Sequence, residues 1–240
     1  MTTTDRWTRA VRHQVGLGRL LPLGGARDGA WISEAAAEAV LRRAAMDLRG
    51  VRLDVLRIGL ADPEDVHEPA VPPPPSALPP GPLRVTADFA ATATEPLPST
   101  AERLRGLLAT TSTDRLGLTV TEVDLRVTAL LDEDAEPDSV RQPEPARAAK
   151  PGDPDEERAA AAALAVPGVI QLTGALGGLG HAVRIERRQG EAALPHRHAR
   201  VEIAVSADRR AVDVAREVRE GVREALADHP TVAVLVTAVS

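Results

Sequence analysis

The chain has 240 residues, of which 29 are Lys or Arg and 35 are Asp or Glu, so its formal net charge is −6. This length allows one or two domains, each large enough to bury a core. The absence of cysteine excludes disulfides, thiolate metal sites and cysteine nucleophiles, and an aromatic content of 1% leaves little to stack on single-stranded nucleic acid.

The N-terminal segment, residues 1–30, is basic and amphipathic. Within residues 5–21, Trp7, Ala10, Val11 and Val15 would share one helix face, with arginines around them. Such a helix suits peripheral contact with a membrane interface, although docking on the protein's own domain is the alternative. The chain has no apolar run of about 18 residues and no small-residue cleavage site, so we expect neither a membrane-spanning helix nor a signal peptide.

Residues 31–131 predict a first α+β domain. Ser33 is placed to cap a helix with Glu34 in its first turn, and Gly50 ends that helix before the strand VRLDVLRI. Next come the strand LRVTADFAA and a helix that begins with a capping box of Ser99 and Glu102. A strand with one solvent-exposed face completes the domain. The helix face predicted to be buried contains Ala37, Val40, Leu41 and Met46.

A proline-rich insert occupies residues 69–82 of this domain. Its prolines favour the extended polyproline II conformation, which could dock on an aromatic groove of another protein. A stiff insertion loop is the alternative interpretation.

Residues 132–153 form an acidic, proline-rich linker. The stretch from Asp132 to Glu157 holds ten acidic and three basic residues and almost no large apolar ones. Because such a segment cannot bury enough surface to offset its ordering entropy, we predict that the linker is disordered.

Residues 154–240 predict a second α+β domain with the same plan. Asp153, Pro154 and Glu156 form a helix start, and Pro167-Gly168 ends that helix before the strand VIQL. Next come the strand ARVEIAVSA, the helix DVAREVREGVREAL and the strand TVAVLVTAVS. The last strand is apolar on both faces, so we predict that it is central in its sheet. The predicted fold class is α+β: two similar helix-covered sheets, each of helix-strand-strand-helix-strand order.

Two stretches could carry ligand chemistry. In PHRH, His196 and His198 would share one face if the stretch were a strand, as two imidazole metal ligands require, with His181 and His229 available as further ligands. We expect a solvated turn there instead. The glycines of GALGGLGHA fit neither a dinucleotide fingerprint nor a P-loop, so a mobile loop is expected and no cofactor is predicted.

The helix DVAREVREGVREAL has an apolar stripe of Val214, Val218, Val222 and Leu226, which predicts packing on a sheet. Beside it, Arg216, Arg219 and Arg223 form a basic stripe that is a candidate surface for a protein partner. Three glutamates balance these arginines, so the helix has no net attraction for nucleic acid.

The second half resembles the alkaline-shock-protein family of bacterial envelope-stress proteins. The resemblance rests on the V-P-G-V element at residues 166–169, the valine-spaced helix at residues 211–222 and the closing valine-rich strand. The first half resembles the family only in outline. Tandem chains of this type occur in high-GC Gram-positive bacteria, sometimes under a nucleopolyhedrovirus protein label that carries no functional meaning.

The resemblance implies a non-enzymatic scaffold or adaptor at the cytoplasmic side of the cell envelope. Its partners would be other proteins, either family members or membrane-anchored envelope proteins. It implies no catalytic residues. A regulatory module that binds a small ligand or metal through the Gly-rich loop and PHRH is the alternative function.

Overall fold

The computed structural model describes residues 18–132, 147–175, 180–190 and 193–240. The amphipathic stretch up to residue 17 and most of the acidic linker, residues 133–146, lie outside the described residues. The predictions of membrane contact and of linker disorder therefore fall largely on residues that are not described.

Both halves contain α-helices and β-strands. The first half contains β1 (Leu20–Pro22), β2 (Ala30–Ser33), α1 (Glu34–Met46), β3 (Val51–Leu60), β4 (Leu83–Thr92), α2 (Leu97–Thr111) and β5 (Val120–Leu131). The second half contains α3 (Pro154–Ala165), β6 (Val169–Leu172), β7 (Val183–Gly190), β8 (Ala193–Val205), α4 (Ala211–Ala225) and β9 (Thr231–Val239).

Two of the predicted helix starts are confirmed. The Ser33 hydroxyl accepts a hydrogen bond from the Ala36 amide at 3.2 Å, and the Asp153 carboxylate accepts from two amides of the first turn of α3. The capping box at Ser99 is wrong, because α2 begins at Leu97 after Pro96, with no side-chain cap. Proline fixes the backbone angle φ near the value that a helix requires. Helix α2 therefore begins without a capping hydroxyl group.

The strands form two sheets, and the fold is α+β as predicted. Sheet A has the order β1-β2-β9-β8-β6, with β7 also paired to β8, and sheet B has the order β3-β4-β5. In sheet A, β9 lies between β2 and β8 and is parallel to both. The prediction that the last strand is central is therefore confirmed.

One topology occurs twice. In sheet B, β3 is antiparallel to β4, α2 follows β4, and β5 returns parallel to it. In sheet A, β6 and β7 are antiparallel to β8, α4 follows β8, and β9 returns parallel to it. We call β3-β4-α2-β5 the first unit and β6-β7-β8-α4-β9 the second unit.

The Gly-rich loop is an insertion into this common plan. Leu53 pairs with Phe89 in the first unit as Leu172 pairs with Ile203 in the second. Just after Leu53, β3 carries a register shift, whereas at the matching point the second unit leaves the sheet at residue 173 and returns as β7. A bulge is a point at which a strand tolerates extra residues, which accounts for the insertion there.

The two helices that follow the central strands carry the same ion pair with its charges exchanged. Arg103 donates to Glu95 at 2.5 Å at the start of α2, and Arg209 donates to Glu217 at 2.6 Å at the start of α4. Each pair spans eight residues, with the acid first in one unit and the base first in the other.

The two halves share one hydrophobic core. Strand β2 of the first half pairs with β9 of the second, Ala30 opposite Val234 and Ile32 opposite Val236. Helix α1 contacts both β3 and β9, and one cluster of buried residues contains side chains from both sheets and from all four α-helices. The expected division into two separate domains at the linker is not confirmed, and residues 20–22 and 30 of the N-terminal segment lie in strands.

The proline-rich insert covers the outer face of sheet A, which faces away from the helices. A small second core there consists of Leu20, Trp31, Val71, Ala233 and Leu235. The Trp31 indole N–H donates to the Leu78 carbonyl at 3.2 Å, and the Leu78 amide donates to the Leu20 carbonyl at 2.8 Å. The insert thus packs on the protein's own sheet.

Candidate functional site

The arginine stripe of α4 holds the segment that leads into β2. Two guanidinium nitrogens of Arg216 donate to the Asp28 carboxylate at 2.8 and 3.0 Å, and Arg219 donates to the Arg27 carbonyl at 3.0 Å. Burial alone would raise the pKa of Asp28, but hydrogen bonds from Arg216 and the Gly25 amide outweigh it and lower that pKa. Arg223, the third member of the stripe, is half exposed and lies 3.6 Å from Glu220.

The apolar stripe of α4 is confirmed as a packing face. Val214, Val218, Val222 and Leu226 are all fully buried. By contrast, the predicted buried face of α1 is correct at Ala37, Val40 and Leu41 but wrong at Met46, which is 46% exposed. Met46 is the last residue of α1, just before the C-cap Asp47.

PHRH lies within β8, so the expectation of a solvated turn is wrong. His196 is exposed, whereas His198 is buried, with Nδ1 2.9 Å from the Thr231 hydroxyl. Burial, and next the positive charge of Arg188, lower the pKa of His198 to about 4. The strand continues upstream of Ala199 because β7 pairs with this part of β8, a contact that local sequence does not reveal.

The four histidines of the second half occupy different places. His181 bridges to Ala149 beside the Gly-rich loop, and His229 lies after α4, with Nδ1 3.1 Å from the Arg223 carbonyl oxygen. Within the described part of the chain, no group of three or more His, Cys, Asp or Glu side chains is placed to hold a metal ion.

A buried polar cluster that the sequence analysis did not single out lies at the other end of β8. Glu202 is fully buried, its Oε2 accepts from the Ala175 amide at 2.7 Å, and its Oε1 lies 3.7 Å from Nε of Arg200. Nearby, the hydroxyls of Thr173 and Thr237 are 2.7 Å apart. Glu202 pairs in register with Leu235 of the second core, and the amide of Ala175 in the Gly-rich loop contacts its carboxylate.

The two ends of the Gly-rich loop and the end of the linker lie beside this cluster. An added Cβ at Gly174 would stand 2.0 Å from the Gly180 carbonyl oxygen, so the two ends of the loop approach more closely than any side chain permits. The Ala149 amide donates to the same Gly180 carbonyl at 2.6 Å. Residues 176–179 at the tip of the loop lie outside the described residues.

The outer face of sheet B is a charged surface. Strand alternation places on it the residues Arg52, Asp54, Arg57, Arg84, Thr86, Asp88, Glu122, Asp124, Arg126 and Thr128. Arg126 donates to both oxygens of Asp88, at 2.9 and 2.6 Å, and the Arg84 guanidinium lies 2.5 Å from Glu122. The hydrogen bond from Arg126 lowers the pKa of Asp88. Arginines and carboxylates balance on this face.

The two units differ in what covers this face. Phe89 in β4 and Ile203 in β8 occupy equivalent positions in the two units. Asp88 and Glu202, each one residue earlier, are therefore also equivalent. Glu202 is fully buried beside the insert-covered core and the Gly-rich loop, whereas the partner of Asp88, Arg126, has a side chain that is 75% exposed. The described part of the chain thus covers one outer face and leaves the other open.

Among the described residues, no helix combines the length and the apolar character needed to cross a bilayer. Comparison of the chain with protein-family models found no matching family, and comparison with curated proteins found no match.

Proposed function

We propose that the protein is a non-enzymatic scaffold or adaptor that binds a protein partner through the open outer face of sheet B. One observation carries the proposal: the second unit covers this face with the chain's own residues, and the first unit leaves the equivalent face exposed. The resemblance to the alkaline-shock family supports a role in the envelope stress response, on the cytoplasmic side.

The chemistry of the face suits a protein partner. Its arginines and carboxylates are interleaved and mostly paired, as at Arg126 and Asp88 or Arg84 and Glu122. A balanced face lacks the positive field that attracts a phosphate backbone, which speaks against nucleic acid. Fixed charges of both signs instead match a complementary pattern of charges on a protein partner, which sets the orientation of the partner and the specificity of binding.

Several titratable groups with shifted pKa values are engaged in contacts within the fold. Asp28, Asp88 and Asp155 are engaged by arginines that lower their pKa values, and His198 is buried against Thr231. Groups held in ion pairs or sealed in a sheet are poorly placed to exchange protons with a substrate.

A photo-crosslinking amino acid at Thr86 tests the proposal, because Thr86 is exposed at the centre of the open face. The same probe at Glu224, exposed on α4, is the matched control. We expect a discrete crosslinked protein from position 86 in native cells and none from position 224. Equal crosslinking from both positions, or none from position 86, contradicts the proposal.

A charge exchange provides the second arm. Arg52→Asp combined with Asp54→Arg keeps an ion pair on the open face, away from β5, but reverses the pattern that a partner meets. We expect the double variant to keep its melting temperature and to lose the crosslink.

The alternative, a ligand-binding regulatory module, is favoured by the buried Glu202 beneath the Gly-rich loop. A ligand that binds only the folded state raises the melting temperature by an amount that grows with the logarithm of the ligand concentration above its dissociation constant. Zinc is the first probe, with Glu202→Gln testing the buried cluster and His196→Ala combined with His198→Ala testing PHRH. A zinc-dependent rise in melting temperature that either change abolishes would favour the ligand module.

A further inference from the structure

We propose that the free edge of β5 joins the β5 edge of a second copy, in antiparallel register about Leu125, to form a symmetric dimer with one continuous sheet. Among the described residues, β5 pairs only with β4. The equivalent edge of β9 in the second unit is covered by β2. This inference does not depend on the adaptor role, which concerns the face of sheet B and not its edge.

The backbone direction of β5 suits such pairing. The Thr119 carbonyl faces β4, where it accepts from the Leu83 amide at 2.8 Å. After the register shift that follows Leu83, the Val123 carbonyl accepts from the Arg105 side chain at 3.3 Å and therefore points away from β4. Because backbone groups alternate along a strand, Leu125 and Val127 also present their N–H and C=O groups to the open edge.

The sequence of β5 is complementary to itself in this register. With Leu125 on the two-fold axis, Asp124 of each copy lies opposite Arg126 of the other, and Val123 lies opposite Val127. Opposite charges and apolar side chains directly across a strand pair are both stabilising. A parallel, in-register pairing would instead set Asp124 against Asp124 and Arg126 against Arg126.

The same register covers exposed apolar surface. Val127 is 38% exposed and Leu130 is 64% exposed, and Leu130 would lie beside Val120 of the second copy. Open edges with apolar side chains pair with other strands unless charge or a covering segment prevents it. On the outer face of β5, Asp124 and Arg126 have charged complements in the second copy, and Glu122 lies opposite Thr128.

Single cysteines test the register, because the chain has no cysteine of its own. Leu125→Cys places two thiols across the two-fold axis, and H-bonded antiparallel residues are about 5.5 Å apart at Cα, within disulfide reach. Glu122→Cys is the matched control, since in this register the two introduced thiols are six residues apart along the strands. Under mild oxidation of the full chain, we expect a covalent dimer from Leu125→Cys alone.

Other crosslinking outcomes would overturn the proposal. Dimers from both variants would indicate parallel, in-register association, and a dimer from neither or only from Glu122→Cys would exclude pairing about Leu125.

The oligomeric state of the cysteine-free chain gives a second, independent measurement. Light scattering should give twice the chain mass of 25.3 kDa. Val127→Lys places a charge opposite Val123 and should give the monomer mass, whereas Ile170→Lys, at an apolar residue on β6 that is 50% exposed, should remain dimeric. A monomeric parent chain, or equal effects of the two lysines, would contradict the proposal. Loss of the Thr86 crosslink with the dimer intact would bear only on the adaptor role.

Discussion

Thr128 and Thr237 make the same contact in the two units: each hydroxyl donates at 3.2 Å to a backbone carbonyl of the neighbouring central strand, Phe89 or Ile203. Each threonine occupies a register shift in the parallel pairing of its unit, between residues 127 and 129 or 236 and 238. A shared bulge filled by the same residue type is strong physical support for an internal duplication.

The surroundings of these two threonines show how the units have diverged. Thr128 is exposed, and its hydroxyl oxygen also lies 3.0 Å from a carboxylate oxygen of Asp54 on the open face. Thr237 is 4% exposed and lies 2.7 Å from the Thr173 hydroxyl, where the Gly-rich loop begins. One common framework therefore carries a covered polar cluster in one unit and an open charged face in the other.

The first prediction concerns the shared core. If a protease site is introduced between residues 133 and 146 and cut, the two fragments should remain associated in one particle, because β2 pairs with β9 and α1 contacts both sheets. Gel filtration with mass measurement after cutting checks this. Residues 147–240 expressed alone should be much less stable, since β9 then exposes the apolar edge that β2 covers. Separation into two independently stable fragments would contradict a common core.

The second prediction concerns the arginine stripe. Arg216→Ala should destabilise the protein by about 1 kcal/mol, because it removes a two-pronged, charge-assisted pair with Asp28 that fixes the entry to β2. Arg223→Ala, on the same stripe but in a longer and more exposed contact, should cost less than about 0.5 kcal/mol. Urea melts of both variants decide the matter. Equal losses would mean that Arg216 does not clamp the N-terminal segment.

Sequence reasoning predicted the elements well where periodicity and burial agree. The buried stripe of α4 and the central position of β9 followed from valine spacing and from apolar residues on both faces. It failed where the deciding contacts are distant in sequence. The pairing of β2 with β9 joins residues about two hundred positions apart. PHRH is part of a strand because β7 pairs with it. The burial of Glu202 involves a contact with the Gly-rich loop.

The third prediction concerns the Gly-rich loop. Gly174→Ala should destabilise the protein by about 1–3 kcal/mol, because the new methyl group would meet the Gly180 backbone and force the loop ends apart. Gly106→Ala is the matched control: nothing lies within 4 Å of its added Cβ in the middle of α2, so it should stabilise by about 0.5–1 kcal/mol. Thermal melts of the two variants should therefore shift in opposite directions, and a neutral Gly174→Ala would show that the loop ends have room to separate.

The last prediction concerns His198 and pH. Its pKa of about 4 lies below the ordinary value of 6.5 because burial, and next the charge of Arg188, disfavour the protonated ring. Arg200 and His196 act in the same direction, whereas Glu186 opposes them. The folded state therefore binds this proton less readily than the unfolded chain. The resulting stability is present in full above pH 6.5 and is lost as the pH falls towards 4, by up to about 3 kcal/mol.

His198→Gln should remove this part of the pH dependence, because an amide at residue 198 does not titrate and can still meet the Thr231 hydroxyl. Comparison of urea melts at pH 7 and pH 4.5 should show a smaller loss for His198→Gln than for the parent chain. His196→Gln, at the exposed histidine two residues away on the same strand, should change the slope much less, because His196 is the smallest of the causes that shift the pKa of His198. The lowered pKa values of Asp28 and Glu34 affect all three proteins alike, since their stabilisation is lost only as the pH falls through the carboxylate range. Equal slopes for the parent and His198→Gln would mean that His198 takes up its proton in the folded sheet as readily as in the unfolded chain.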